Sequence, residues 1–162
     1  MTVQSWGTFF ETQAAAFAAV TGLVFVALSI NLKVILTTPG TTGRAGEALV
    51  VLVEPVLLGL AGLVAHQSMR ALGTEWLVVG VVGWLVVTAI IVRGRSALRD
   101  RTAPEAGVRL LGAQAATLAV VVGATLLAAG TADGYYWQAA GVALCLVVGI
   151  ADAWVLLVEI LR

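Results

Sequence analysis

Tyr135–Val158 reads YYWQAAGVALCLVVGIADAWVLLV, 24 residues with a single charged side chain, Asp152. As a helix rising 1.5 Å per residue it is about 36 Å long, enough to cross a hydrocarbon core roughly 30 Å thick. Four other stretches have the same character: about 14–36, 46–69, 75–92 and 109–130. The chain as a whole is 60% hydrophobic and only 11% charged, against about 25% charged in an ordinary soluble domain. A chain of 162 residues with that composition has too few polar groups to cover its own surface. Soluble enzyme, nucleic-acid binder and disordered tail are therefore excluded classes. The expected fold is all-α: one domain over 1–162, a polytopic membrane bundle of five transmembrane helices.

The breaks between spans carry turn chemistry. Thr37–Gly43 contains Pro39 and two glycines, and Arg93–Gly107 contains Pro104. Leu72-Gly73-Thr74 and Thr131–Gly134 are short enough for tight hairpins. No Lys or Arg precedes Lys33, so the first span lacks the basic n-region of a cleaved signal peptide.

Cationic residues orient the spans, because cytoplasmic loops collect Lys and Arg. One side receives Lys33, Arg44, Arg93, Arg95, Arg99, Arg101, Arg109 and Arg162, and the other only Arg70. The N-terminus is expected outside and the C-terminus in the cytoplasm, in a multi-pass plasma-membrane protein. Under this topology Trp6, Trp76 and Tyr135-Tyr136-Trp137 fall at the outer interface, where amphipathic rings prefer to sit.

Polar side chains inside an apolar span are costly and mark candidate sites. Measured from the span midpoints, Glu54 lies about 5 Å, Asp152 about 8 Å, and Asn31 and Gln114 about 8–9 Å toward the cytoplasm. The third span contributes no such group. Glu54, Asp152, Asn31 and Gln114 are thus expected to form a polar layer in the inner half of the bundle. As neutral acids, Glu54 and Asp152 could equally serve as helix-to-helix hydrogen-bond donors toward Asn31 or Gln114. Gln138, Gly141, Cys145, Gly149 and Asp152 recur at helical spacing, giving the fifth span one small and polar face. Glu47 and Glu54, seven apart, share a face of the second span. Pro55 removes a backbone donor beside Glu54, a candidate kink. His66, Glu11 and Glu47 are candidate pH-sensing or gating groups. His66, the sole histidine, is otherwise a solvated helix-end residue and lacks a second ligand at metal-coordinating spacing. No metal or cofactor is expected. Gly112, Ala116, Ala119 and Gly123 make a small-residue stripe that admits a close helix. The third span, with only Gly80 and Gly83 as a notch, is expected to face lipid or another copy.

No G-x-S-x-G, H-E-x-x-H or P-loop pattern occurs, and Cys145 has no histidine near it in sequence; the chain is not expected to be an enzyme. The run AAAFAAVTGLVFVALSINLKVIL over Ala14–Leu36, then Pro39 and Gly43–Leu49, resembles a group of small actinobacterial membrane proteins often labelled modulators of the FtsH protease. The resemblance rests on Thr21-Gly22-Leu23, Ser29-Ile30-Asn31-Leu32 and Arg44–Leu49 and covers about the first 70 residues. It implies an actinobacterial cytoplasmic membrane as the setting.

Two functions fit these residues. One is a homo-oligomeric channel or transporter for protons or small ions, with Glu54 and Asp152 as intramembrane sites. The other is a non-transporting regulatory or scaffold subunit, such as a membrane-protease modulator, whose polar layer docks a partner membrane protein. The lipid bilayer is a partner in both, and nucleic acid in neither.

Overall fold

The computed structural model describes residues 3–97 and 103–160. Every regular element among them is helical: a short 3-10 turn at Val3–Trp6, then α1 (Gly7–Ile30), α2 (Leu32–Thr37), α3 (Thr41–Gly62), α4 (Met69–Ala97), α5 (Ala103–Ala128) and α6 (Gly134–Ile160). Five of the six α-helices, all but α2, are long and apolar enough to cross a membrane. Their outward faces are apolar as well. Leu23, Ile30, Val82, Leu111, Val147 and Trp154 are all more than half exposed, an arrangement that suits lipid and that soluble monomers avoid.

Helices α3, α4, α5 and α6 form a ring in which each packs on the next and α6 returns to α3, while α1 lies against α3 from outside. Burial follows this order: 56% of the most apolar stretch of α3 is buried, against 22% for α1. The ring interior is filled by side chains such as Leu52, Val87, Val120 and Val142. Because lipid is as apolar as leucine, small residues and close backbones hold such helices together. The stripe on α5 meets α6 in this way: a Cβ added at Gly123 would stand 2.8 Å from both Gly134 O and Gln138 N. On α3, Gly59 gives α1 its approach, since a Cβ there would stand 2.9 Å from Phe10 O.

The ends of the bundle differ. At one, Trp6, Phe10, Trp76 and Tyr135 bring together the starts of α1, α4 and α6, with Trp6 stacked on Tyr135 at 5.3 Å and Phe10 edge-on to Trp76 at 5.5 Å. Trp76 and Tyr135 are fully buried, so these two rings are core rather than interfacial anchors; Tyr136 and Trp137 remain exposed. The other end gathers Arg44, Arg109 and Asp152. We refer to them as the aromatic and arginine ends.

Several boundaries differ from the expected spans. The turn between the second and third spans falls at residues 63–68, and Leu72-Gly73-Thr74 lies inside α4. His66 takes a left-handed conformation there, φ 59°, and Ser68 Oγ caps α4 by accepting from Ala71 N at 3.2 Å. Apolar periodicity runs unbroken through Val64 and Ala65, so only this local backbone chemistry marks the turn. Gly73 is helical because it needs no turn: it presses against the Leu127–Ala128 backbone of α5. The first span is divided at Asn31. Ser29 Oγ and Asn31 Nδ2 donate to the carbonyls of Phe25 and Ala27 one turn back, at 2.7 and 2.9 Å, and such back-bonding bends helices. α2 then ends where Gly40, φ 85°, reverses the chain. Thr41 Oγ1 lies 2.7 Å from the Ile35 carbonyl. The loop expected at Arg93–Gly107 is shorter than its sequence implied, since Pro104 sits in the first turn of α5, where its missing N–H costs nothing.

Candidate functional site

Three polar sites stand out among the ring helices, each held by a different pair or trio of them. The first is a charge cluster at the arginine end. Arg44 and Glu47, one turn apart on α3, meet Arg109 from α5 and Asp152 from α6. Arg44 Nε stands 3.2 Å from Asp152 Oδ1, and Arg109 Nε 3.9 Å from the same oxygen. Arg109 Nη2 donates to Glu47 Oε2. The Glu47 side chain is wholly buried and that of Asp152 nearly so, while the two arginines keep 15% and 20% of their surface exposed. Two carboxylates therefore face two guanidinium groups, and the cluster balances its own charge. Arg44 and Arg109, read from the sequence only as orienting charges, are its missing partners. Their signal was positional: each borders an apolar span at the end where Glu47 and Asp152 lie. Arg99, Arg101 and Arg162 lie outside the described residues, as does the side chain of Arg95.

The second set joins α4 to α5. Trp84 Nε1 donates to Gln114 Oε1 at 2.6 Å, and Gln114 Nε2 donates to Thr88 Oγ1 at 2.9 Å. Gln114 thus has both ends of its amide satisfied. The third span, expected to offer no hydrogen-bonding side chain, supplies Trp84 and Thr88.

Glu54 stands by itself. It is 3% exposed, and neither carboxyl oxygen has a hydrogen-bond partner. Its carboxyl rests in the notch of α4: a Cβ added at Gly83 would lie 2.8 Å from Glu54 Oε2, and one added at Gly80 would lie 3.8 Å from Oε1. Glu54 and Gly83 also line an outward-facing groove of about 510 Å³ between α3 and α4. The rest of its lining is Val and Leu, including Val50, Val53, Val82 and Val86. Helix α3 continues through Pro55, whose carbonyl accepts from Gln13 Nε2 of α1 at 2.7 Å. Gln13, near the start of α1, is thus a buried tie between α1 and α3.

The four residues of the expected polar layer accordingly take separate places. Asp152 belongs to the charge cluster, Gln114 to the α4–α5 tie, Asn31 to the α1–α2 break, and Glu54 to the groove. With helix bounds in hand, Glu54 lies about 4 Å past the middle of α3, toward the aromatic end. Asn31 stands at the end of α1. Glu47 and Glu54 are both buried on one side of α3, Glu47 against Arg109 of α5 and Glu54 against Gly83 of α4, and Gln138, Gly141, Cys145, Gly149 and Asp152 all lie on the buried face of α6. His66 and Glu11 are exposed at the aromatic end. Among the described residues no group of three or more His, Cys, Asp or Glu is placed to hold a metal ion.

Unpartnered buried polar atoms occur along the whole bundle. Tyr135 Oη and both amide atoms of Gln138 lie near the aromatic end, Glu54 near the middle, and Glu47 Oε1 and Asp152 Oδ2 at the arginine end. Buried polar groups are normally hydrogen-bonded, and each exception calls for a reason. No family model, curated protein or solved structure matches the chain.

Proposed function

We propose that this protein is a homo-oligomeric membrane conduit for protons or small cations, in which Glu54 carries the ion and the Arg44–Glu47–Arg109–Asp152 cluster closes the arginine end. The observation that carries the reading is Glu54 itself: a carboxyl near mid-span, buried, with neither oxygen hydrogen-bonded. Holding a helix together would require that carboxyl to bond across an interface. Gln114 does so with Trp84 and Thr88, whereas Glu54 does not. An acid left without a partner at membrane depth is available to take up and release a proton or to pair with a cation.

The route follows from packing. The ring interior is filled by Leu52, Val87, Val120 and Val142, so the path runs along the outer α3–α4 face, between copies of the chain. Closed symmetric assembly is the usual state of such subunits. Asp152, considered from the sequence as a second ion site, becomes part of a closing contact: its two arginine neighbours hold α3, α5 and α6 together. Opening would separate these pairs. The setting is a cytoplasmic membrane with the arginine end inside, in keeping with the positive-inside rule and with the resemblance of the first 70 residues to actinobacterial proteins.

The test is proton and cation flux in liposomes holding the purified protein under an imposed potential. Flux above protein-free vesicles is expected, and Glu54→Gln is expected to abolish it while the oligomer elutes unchanged. Undiminished flux in a correctly assembled Glu54→Gln protein would remove Glu54 from the mechanism. Silence of the wild-type protein would favour the partner-docking role.

A further inference from the structure

A second outward groove, of about 540 Å³, opens at the arginine end between α5 and α6, with Arg44 of α3 also in its wall. We propose that it holds an anionic phospholipid, its phosphate on Arg109 and Arg44 and its acyl chains along α5 and α6, a role separate from the ion path and dependent only on the helices crossing a membrane. The groove is polar at one level and apolar deeper, as a phospholipid is. Arg109 lies near the start of the membrane-length part of α5, Gly107–Ala128, about 3 Å from its end. Arg44 lies in the first turn of α3. Both are within reach of the head-group layer, which extends roughly 5–7 Å beyond the hydrocarbon core on each side. Gly112 lies about 4–5 Å deeper than Arg109, and Val147 about 7–8 Å deeper than Asp152. The rim is open to lipid, since Val108 and Val147 are both well exposed.

Charge complementarity selects the occupant. The four charges of the cluster cancel in sum but not at its surface. Glu47 is wholly enclosed and Asp152 nearly so, whereas the side chains of Arg44 and Arg109 keep 15% and 20% of their surface and both line the groove. What the cluster presents there is guanidinium, a planar fork of donors that matches phosphate oxygens in pairs. Arg109 meets Glu47 through Nη2, a contact that uses part of its five-donor fork. Basic pockets between helices near the cytoplasmic surface suit anionic head groups for this reason. A zwitterionic lipid brings its own cation, and the one carboxylate in the groove wall, Asp152, already faces two arginines. Below the arginines, Gly112 leaves a furrow for an acyl chain: a Cβ added there would stand 3.5 Å from Val148 Cγ2.

Native mass spectrometry of the full-length protein in detergent micelles, titrated with phosphatidylglycerol or with phosphatidylcholine of the same acyl chains, reads the site. Saturable binding of phosphatidylglycerol is expected, about tenfold or more tighter than that of phosphatidylcholine. Arg109→Met combined with Glu47→Gln keeps the buried charges balanced and should weaken binding by about tenfold, the scale of losing one charge-assisted contact. Val147→Trp fills the groove from its exposed rim, away from the cluster, and should weaken it as much. Glu47→Gln alone keeps both guanidinium groups, removes an enclosed negative charge, and should tighten binding by about fivefold. Equal binding of the two lipids, unchanged binding in the double variant or in Val147→Trp, or no tightening in Glu47→Gln would overturn the inference. So would displacement of the lipid by glycerol 3-phosphate at matching concentrations, the mark of a site for a soluble phosphate. A disulfide between copies of a Val147→Cys protein in membranes would place a second copy on this face and overturn it too. Liposome flux reads Glu54 and is independent of these results.

Discussion

Replacing Arg109 with methionine isolates the contribution of the charge cluster. The side chain keeps much of its length and loses its charge, leaving two carboxylates, Glu47 and Asp152, against one guanidinium, Arg44. At 3.9 Å from Asp152 Oδ1, the guanidinium of Arg109 contributes an attraction of about 4 kcal/mol at an effective dielectric constant near 20. Desolvation of both groups offsets much of that attraction in the intact protein. It does not offset the loss when one partner is removed, because the wholly buried Glu47 carboxylate then loses the cation that donates to it. Removing one member of a buried pair costs roughly 3–5 kcal/mol. Arg109 is 20% exposed, so we take the lower end, about 3 kcal/mol, or on the order of a hundredfold in the folded-to-unfolded ratio. The assay is reversible unfolding in mixed micelles, followed by far-ultraviolet circular dichroism. Glu47→Gln in the Arg109→Met background removes the stranded charge and should recover about 2 kcal/mol, the coupling expected of contacting groups. A single-variant loss below about 0.5 kcal/mol, the scale of an ordinary surface substitution, would refute the reasoning. So would a double variant whose cost is the sum of the two singles.

Two further outcomes follow from the packing. Gly123→Ala would set a methyl group 2.8 Å from the α6 backbone at Gly134 and Gln138; backbone cannot rotate away, so a loss of about 1–3 kcal/mol is expected, read in the same unfolding assay, and a neutral result would mean that α5 and α6 lie further apart. Gln13→Leu removes the 2.7 Å bond to the Pro55 carbonyl and should cost about 1 kcal/mol while raising the labelling rate of a cysteine placed at buried Ala14; an unchanged rate would show that glycine packing alone holds α1.

The two lessons of the boundaries concern different physics. Five spans were readable because the requirement is one-dimensional: about twenty apolar residues in a row. Their ends were not readable where apolarity continued past the turn. Val64 and Ala65 look like helix, and the reversal at residues 63–68 depends on the left-handed backbone at His66 and the Ser68 cap. Conversely, Gly73 looks like a turn and is a contact, because its missing side chain is used by α5. The helix faces were also readable. Periodicity places Glu47 with Glu54 on α3, and Gln138 with Asp152 on α6, and all four are buried.

Composition and periodicity by themselves determined that this is an all-helical chain with five membrane-length apolar helices, and which face of α3 and α6 carries the polar groups. The tertiary structure alone decided which of those groups meet. Depth along a span is a sequence quantity, but adjacency depends on the order of helices around the ring, and nothing local encodes that order. Arg109 reaches Glu47 across 62 residues of chain, and Asp152 reaches Arg44 from the last helix. Gln114 is taken up by Trp84 and Thr88. Glu54 is left without a hydrogen bond because the helix that faces it presents glycine, which offers the carboxyl space and no donor.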